Sequence, residues 1–211
     1  MHNPGVLGFW GSLLLNPIQW QNETGFKRIL SYFYNQTSFI IDRKIKNEGA
    51  NFDFNPFKSS QENALGLSSS FRNTVFYNRG KQHHSVTYTY LQNQAKNLLS
   101  VGSQESENNS HQLQYSHLYK KNWLISAFAK NIQTSILSEN FPEKNYTITG
   151  YHLAPKISYL FSKNTSWDIF YELQNKENTI GNLEVLLQNR LGTSFSYANS
   201  KAITMNGEIS F

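Results

Sequence analysis

The stretch YHLAPKISYLF, residues 151–161, decides the fold of this chain. Its odd positions are mostly apolar, whereas the even positions between them include His152, Lys156 and Ser158. Successive side chains of a β-strand point to opposite faces of the sheet, so the stretch predicts a strand with one apolar and one polar face. It is longer than the strands of about five or six residues that are usual in soluble sheets. Its length is that of a tilted strand that crosses a bilayer.

The same alternation recurs in three later segments, residues 166–174, 183–197 and 203–211. Three polar triplets predict tight turns, namely 120–122, 163–165 and 199–201. Three longer polar segments predict longer connections, namely 105–110, 139–144 and 175–182. Short and long connections would then alternate along the chain, as they do in transmembrane barrels.

The N-terminal part of the chain has a weaker pattern. We expect residues 1–62 to form an extension and residues 63–211 to form the main sheet, with about eight strands from Ala64 onward. Within the extension, two weaker strands are expected inside 26–34 and 38–44, followed by a loop over 46–62. Residues 84–104 fit either one long strand or a hairpin broken near Asn93.

The apolar segment at residues 5–15, GVLGFWGSLLL, has the length of a signal-peptide core. No Lys or Arg precedes it and no A-x-A cleavage site follows, so we interpret it as mature sequence. A protein exported to the outer membrane needs a signal, which leads us to expect that the chain is a fragment of a longer precursor.

Composition favours a two-faced wall over a solid core. Only 38% of the residues are apolar, against roughly 45–50% in soluble globular domains, and 15% are aromatic. Cysteine is absent, which excludes disulfides and thiolate metal sites. The net charge is +5, but Lys and Arg are scattered, so we expect solvated rims and no nucleic-acid partner. The predicted fold class is therefore all-β, an antiparallel meander of about 8–10 long strands that forms a transmembrane β-barrel or part of one.

Aromatic residues lie beside the short turns, on the apolar faces of their strands. They are Tyr77, Tyr119, Trp123, Phe161, Trp167 and Tyr197. A row of such rings at one height is the aromatic girdle that marks lipid headgroups. In a soluble sheet the same residues would pack across hairpins.

Side-chain parity also predicts the hairpin registers, because paired residues share a face. It pairs Tyr119 with Trp123. In the next two hairpins it pairs Phe161 with Trp167 and Tyr197 with Ile203. The middle hairpin would then place Lys156 opposite Glu172 on the polar face.

Polar residues on the second face are expected to line a lumen or a filled interior. They are His152, Lys156, Asp168, Glu172, Arg190 and Glu208. One interpretation is a pore of mixed charge, and the other is an internal salt-bridge network in a narrow barrel that conducts nothing. Strand count decides between them, because about eight strands fill with side chains whereas sixteen or more leave a channel.

Nothing in the sequence predicts catalysis, a cofactor or a metal. The adjacent residues His83 and His84 point to opposite faces of a strand, and His111 and His117 are about 20 Å apart along one. Asp168 and Glu172 would be about 13 Å apart, too far for a glycosidase pair. The chain also lacks G-x-S-x-G, phosphate-loop and G-x-G-x-x-G motifs.

Two phrases, SVTYTYLQNQAKNLLSVG (85–102) and APKISYLFSKNTSWDIFYELQN (154–175), give the chain a resemblance to Bacteroidota-type outer-membrane β-barrel proteins. The resemblance covers roughly residues 63–211 and rests on the Asn- and Tyr-rich sequence and the long strands, with no diagnostic motif. The last strand, with Ile209 and Phe211, resembles the C-terminal signal that the barrel-assembly machinery recognises.

These resemblances imply a non-catalytic, porin-like barrel in the bacterial outer membrane that serves as pore wall, transport element or assembly scaffold. Its partners would be the lipid bilayer and the assembly machinery. The alternative is a soluble, secreted all-β binding or adhesion module.

Overall fold

The chain forms one antiparallel sheet of ten strands. The computed structural model describes residues 5–15, 24–25, 30–45, 64–79, 84–99, 102–180, 184–199 and 203–210. The strands are β1 (Gly5–Leu15), β2 (Phe33–Ile45), β3 (Ala64–Tyr77), β4 (Ser85–Leu99), β5 (Gly102–Tyr119), β6 (Trp123–Ser138), β7 (Tyr146–Ser162), β8 (Thr165–Asn178), β9 (Val185–Asn199) and β10 (Ile203–Ser210). Each strand pairs with its neighbours in sequence. Among the described residues no pairing joins β1 to β10, so this sheet is not closed into a barrel.

The predicted all-β antiparallel meander is confirmed, and so are the eight strands from Ala64 onward. β2 contains the strand expected inside 38–44. Of the strand expected inside 26–34, Phe33 and Tyr34 begin β2, residues 30–32 are not in a strand, and residues 26–29 lie outside the described residues. β1 was not predicted. It pairs with β2 over its whole length, and β2 pairs with β3, so the first two strands share the main sheet. The loop predicted over 46–62 lies outside the described residues.

The predicted turn at 120–122 is confirmed between β5 and β6. Lys120 and Lys121 have φ of 48° and 66°, the left-handed pair that suits the twist of a tight hairpin. The second turn consists of residues 163–164 only, since Thr165 begins β8. Of the third predicted turn, 199–201, Asn199 is the last residue of β9, and residues 200–201 lie outside the described residues.

The predicted long connection at 105–110 is wrong. These residues lie inside β5 and pair with both β4 and β6, and the link between β4 and β5 is residues 100–101. β4 runs continuously through Asn93 to Leu99, so the predicted break near Asn93 is wrong, but residues 84–104 are not one strand either, because β5 begins at Gly102. The connection at 139–145 contains a short 3₁₀ helix, Pro142–Lys144, and β8 extends to Asn178 into the segment expected as loop.

In a soluble sheet the large apolar side chains are buried and the polar ones are exposed, whereas this sheet shows the reverse. We call them the apolar face, which carries Ile157 and its cross-strand partners Ile125 and Ile169, and the polar face, which carries Lys156 and Ser158. Side chains buried on the polar face are small and polar, namely Thr74, Thr89, Ser110, Ser138 and Ser158. The described residues include no buried large apolar side chain.

Large apolar side chains are instead exposed on the apolar face. Four that would fill the dry centre of a sandwich are 38% to 46% exposed, namely Leu153, Ile157, Ile169 and Tyr171. A cavity of about 560 Å³ lies against strands β4 to β9 on the polar face. The described part of the chain has no second layer over either face.

Candidate membrane-facing surface and polar groove

An aromatic row crosses five neighbouring strands on the apolar face. Its members are paired in register and are Tyr119, Trp123, Tyr159, Trp167 and Phe195. The ring centroids of Trp123 and Tyr159 are 4.8 Å apart. The indole Nε1 of Trp167 donates a hydrogen bond of 2.6 Å to Thr193 Oγ1 on β9. Amphipathic rings with a bonded polar tip are suited to a boundary between water and an apolar phase.

Three of the predicted girdle residues, Tyr119, Trp123 and Trp167, are members of this row. The ring of Phe161, 57% exposed, packs edge-on against Tyr159 at 4.7 Å. Tyr197 lies opposite Thr165, two residues along β9 from Phe195 of the row. Tyr77 is separate, on β3, where its ring centroid is 5.1 Å from that of Phe33.

Two predicted registers are wrong by two residues. Trp167 pairs with Tyr159 and not with Phe161, because an irregularity between Leu160 and Ser162 shortens the turn. In the last hairpin Ile203 pairs with Asn199, and Tyr197 with Met205. The predicted pair of Tyr119 with Trp123 is confirmed. Sequence parity therefore missed Tyr159 and Phe195 as members of the row.

An apolar belt adjoins the aromatic row on β6 to β9. Its members are Ile125, Ala127, Ala129, Leu153, Pro155, Ile157, Ile169, Tyr171, Leu173, Leu187 and Leu191. From Tyr159 in the aromatic row to Tyr151, two residues beyond Leu153 of the belt, the apolar face of β7 measures about 27 Å, or about 21 Å for a strand tilted by about 40°. This is close to the apolar band of about 25 Å that transmembrane barrels present to lipid.

A polar extension follows the belt on the same face of β4 to β6. It consists of Gln92, Gln94, Lys96, Glu105, Glu107, Asn109, Asn131 and Gln133. Glu107 accepts hydrogen bonds from Asn109 (2.9 Å), Gln94 (3.2 Å) and Gln92 (3.5 Å). These donors favour the carboxylate and hold the pKa of Glu107 below its ordinary value. The hydrogen-bonded ion pair with Glu105 raises the pKa of Lys96.

The polar face collects the residues predicted to line an interior. The described side chains of His152, Lys156, Asp168, Glu172 and Arg190 share this face, as paired positions require. Glu208 lies opposite Ser194 in the pairing of β9 with β10, and its side chain is outside the description.

The predicted pairing of Lys156 with Glu172 is wrong. Lys156 lies opposite Phe170, and its Nζ is 3.4 Å from Asp168 Oδ2. Glu172 lies opposite Arg190 on β9, with Oε2 and Nη1 3.6 Å apart. The two-residue change in register exchanged the partners but kept every side chain on its predicted face.

Histidines far apart in sequence come together at the turn end of the sheet, where the ring centroids of His84 and His117 are 5.6 Å apart. No group of three or more His, Asp or Glu residues in the described ranges is arranged to hold a metal ion. Of the predicted assembly signal, Ile209 lies in β10 opposite Thr193, whereas Phe211 is outside the described residues.

No family model matches this chain, and no curated protein or solved structure matches it either. No helix within the described ranges combines the length and apolar content needed to cross a membrane. The functional evidence is therefore the surface chemistry of the sheet itself.

Proposed function

We propose that this chain is a wall, or part of the wall, of a bacterial outer-membrane β-barrel, with its apolar face toward lipid and its polar face toward the interior. Its role is non-catalytic, as a pore wall, transport element or assembly scaffold. The observation that carries the proposal is the inverted sheet, in which small polar side chains are buried and large apolar ones are exposed.

Exposure of this kind is costly in water. Moving a side chain such as Ile157 or Leu153 from water into an apolar phase contributes roughly 1.5–3 kcal/mol for full burial, and these two are nearly half exposed. The belt contains many such residues on neighbouring strands. A soluble sheet would cover them with a second layer, whereas a bilayer supplies the cover directly.

The order of surfaces along the strands supports the same orientation. On β6, which carries all three surfaces, the aromatic row, the apolar belt and the polar extension follow one another from the turn at 120–122 toward the opposite end of the strand. In a barrel the aromatic row would lie at one headgroup level, the apolar belt in the hydrocarbon, and the polar extension beyond the other headgroup level. Because the strand number is even, β1 and β10 run antiparallel. They would pair directly, or through an even number of further strands, to close a barrel.

The bilayer is thus the main partner in this proposal. Insertion would use the barrel-assembly machinery, with Ile209 and Phe211 as the candidate signal. The competing function, a secreted soluble binding module, requires the apolar face to tolerate water or to be covered by protein.

The experiment is refolding of the chain into detergent micelles and lipid vesicles, followed by gel electrophoresis with and without heating. We expect faster migration of the unheated protein, and loss of β-sheet circular dichroism when detergent is removed. A monomer that keeps its sheet in detergent-free buffer would exclude the membrane wall and favour the soluble module.

A further inference from the structure

The polar face carries a groove that the wall role does not require. Its volume is about 560 Å³, within the roughly 300–1,000 Å³ of small-molecule sites. Short side chains line its floor, namely Ser126 on β6, Ala154 on β7 and Ser194 on β9. Gly192 on β9 lies opposite Phe170 on β8. These residues are small, whereas neighbouring lining residues such as Phe128, Lys156 and Arg190 are long, so the space between the long side chains forms the groove.

The walls of the groove carry two cations and two carboxylates. β8 contributes both carboxylates, Asp168 and Glu172, on either side of Phe170. The cations lie on the flanking strands, with Lys156 on β7 and Arg190 on β9. The formal charges cancel. An anion drawn to Lys156 would meet Asp168, whose Oδ2 is only 3.4 Å from the ammonium, so neither sign of ion gains from the site as a whole.

The charged groups nevertheless offer strong hydrogen bonds. Lys156 Nζ is 3.4 Å from Asp168 Oδ2, and Arg190 Nη1 is 3.6 Å from Glu172 Oε2. Both distances exceed the roughly 2.7–2.9 Å of short charge-assisted hydrogen bonds. The ammonium of Lys156 has three donors, and each carboxylate accepts several hydrogen bonds. Donors and acceptors therefore alternate on strands about 4.8 Å apart. A hydroxyl group both donates and accepts, so a solute with many hydroxyls matches this alternation without carrying charge.

Two aromatic rings, Phe128 and Phe170, complete the lining. The ring of His152 packs edge-on to Phe128 at 5.4 Å, and the guanidinium of Arg190 lies 5.2 Å from the centroid of Phe170. These contacts fix the rings among polar groups. A ligand with both C–H surfaces and hydroxyls would contact both kinds of lining.

We propose that this groove binds an uncharged, polyhydroxylated solute, of the short-oligosaccharide class. The inference goes beyond the proposed function, since it rests on the lining of the polar face and holds whether lipid or water covers the opposite face.

The experiment uses the full chain refolded in a sugar-free detergent, lauryldimethylamine oxide, after heat-modifiable migration has shown that it is folded. Three trisaccharides of similar size are titrated by calorimetry and saturation-transfer NMR. They are maltotriose, which is neutral, trigalacturonate, which is anionic, and the glucosamine trimer, which is cationic. We expect maltotriose to bind at least tenfold more tightly than either charged trimer.

Two variants locate the binding. Ala154→Phe fills the floor of the groove and is expected to weaken maltotriose binding at least tenfold. The matched control is Ile132→Phe, on the same face of β6 but outside the groove lining, and it is expected to leave binding unchanged. Ser194→Leu is a second groove-filling variant, in case Ala154→Phe does not refold.

Folded protein that binds none of the trimers, prefers a charged trimer, or binds maltotriose equally well with the groove filled would overturn the inference. It would leave the membrane wall intact. Conversely, a detergent-free soluble monomer that binds maltotriose in the groove would exclude the membrane wall and keep the inference.

Discussion

Strands β6 to β9 and strands β1 to β3 belong to one sheet but have different surfaces. On β6 to β9 the apolar face carries the belt, which Asn189 and Thr193 interrupt on β9, and the polar face carries the groove. On β2 and β3 the apolar face is interrupted by Asn35, Thr37 and Asn73. On the polar face of β1 and β2, Trp10 and Ile40 lie opposite each other and are 79% and 47% exposed.

The difference shows how a polar group is accommodated on an otherwise apolar face. The carboxamides of Asn35 and Asn73 bond to each other at 3.2 Å and 3.3 Å. Asn73 Nδ2 also donates to Thr37 Oγ1 at 2.6 Å, and Thr37 donates to Asn35 Oδ1 at 2.9 Å. Mutual hydrogen bonds lower the cost of removing these groups from water. Parity alone thus predicts which side chains of β6–β9 share a face, but it does not predict the polar network on the apolar face of β2 and β3.

The largest expected effect comes from a charge on the belt. Leu153→Arg should destabilise the vesicle-embedded protein by about 2–4 kcal/mol, the cost of Arg at the bilayer midplane, because Leu153 lies six residues along β7 from Tyr159 of the aromatic row. Ser69→Arg is the control on the apolar face of β3, where it lies in register through Gln94 with Glu107 of the polar extension, and it should cost about 1 kcal/mol or less because this level lies beyond the belt. Urea unfolding in lipid vesicles measures both. Equal effects at the two sites would remove the distinction between the regions.

A smaller effect is expected from the carboxamide network. Asn73→Leu should destabilise the protein by about 1–3 kcal/mol, because it leaves the Asn35 carboxamide without its partner on β3. The double variant Asn35→Leu with Asn73→Leu should recover most of that loss, since both polar groups are then removed. A double-mutant cycle on urea unfolding checks this. Additive losses would show that the bonds do not compensate each other.

Tryptophan depth sharpens the comparison without altering stability. Variants that keep one of Trp10, Trp123 or Trp167, with the other tryptophans changed to Phe, are refolded into vesicles with brominated lipids. Trp123 and Trp167 should both be quenched most strongly by bromine near the headgroups, because both belong to the aromatic row. Trp10, on the polar face, should be quenched at least twofold less. Strong quenching of Trp10 would place that face against lipid.

The smallest effect concerns the polar extension, outside the belt. The pKa of Glu107 is lowered in the folded protein, so its contribution to stability is present above the ordinary pKa and is lost as the pH falls through the lowered value. Wild-type protein should therefore lose more thermal stability than Glu107→Gln between pH 6 and pH 3. Parallel melting curves for the two proteins across this range would contradict the expectation.

The alternation of apolar and polar residues predicts the face on which a side chain lies, but it does not predict the residue with which it pairs. Face depends on parity, so His152, Lys156 and Asp168 were predicted on one face even though a register was wrong by two residues. Register depends on the turn, and the irregularity after Leu160 has no counterpart in the hydrophobic pattern.

Other misses have equally local causes. Residues 105–110 are polar at both parities and so resemble a loop, yet they pair with two strands. β1 was missed for the opposite reason. The apolar run at 5–15 has few polar residues on either face, so it lacks the alternation that predicts a strand. The groove was not predicted, since it depends on small residues from three strands meeting across the sheet.

The length of β5 has a mechanical consequence. Its eighteen residues span about 61 Å, or about 47 Å when tilted by about 40°, against a hydrocarbon thickness of about 30 Å. Hydrogen bonding to β4 and β6 continues over the part beyond that thickness. In a membrane, this part of the sheet would stand above the lipid as a stiff ledge. Anything that approaches from that side would meet ordered strands before it meets a loop.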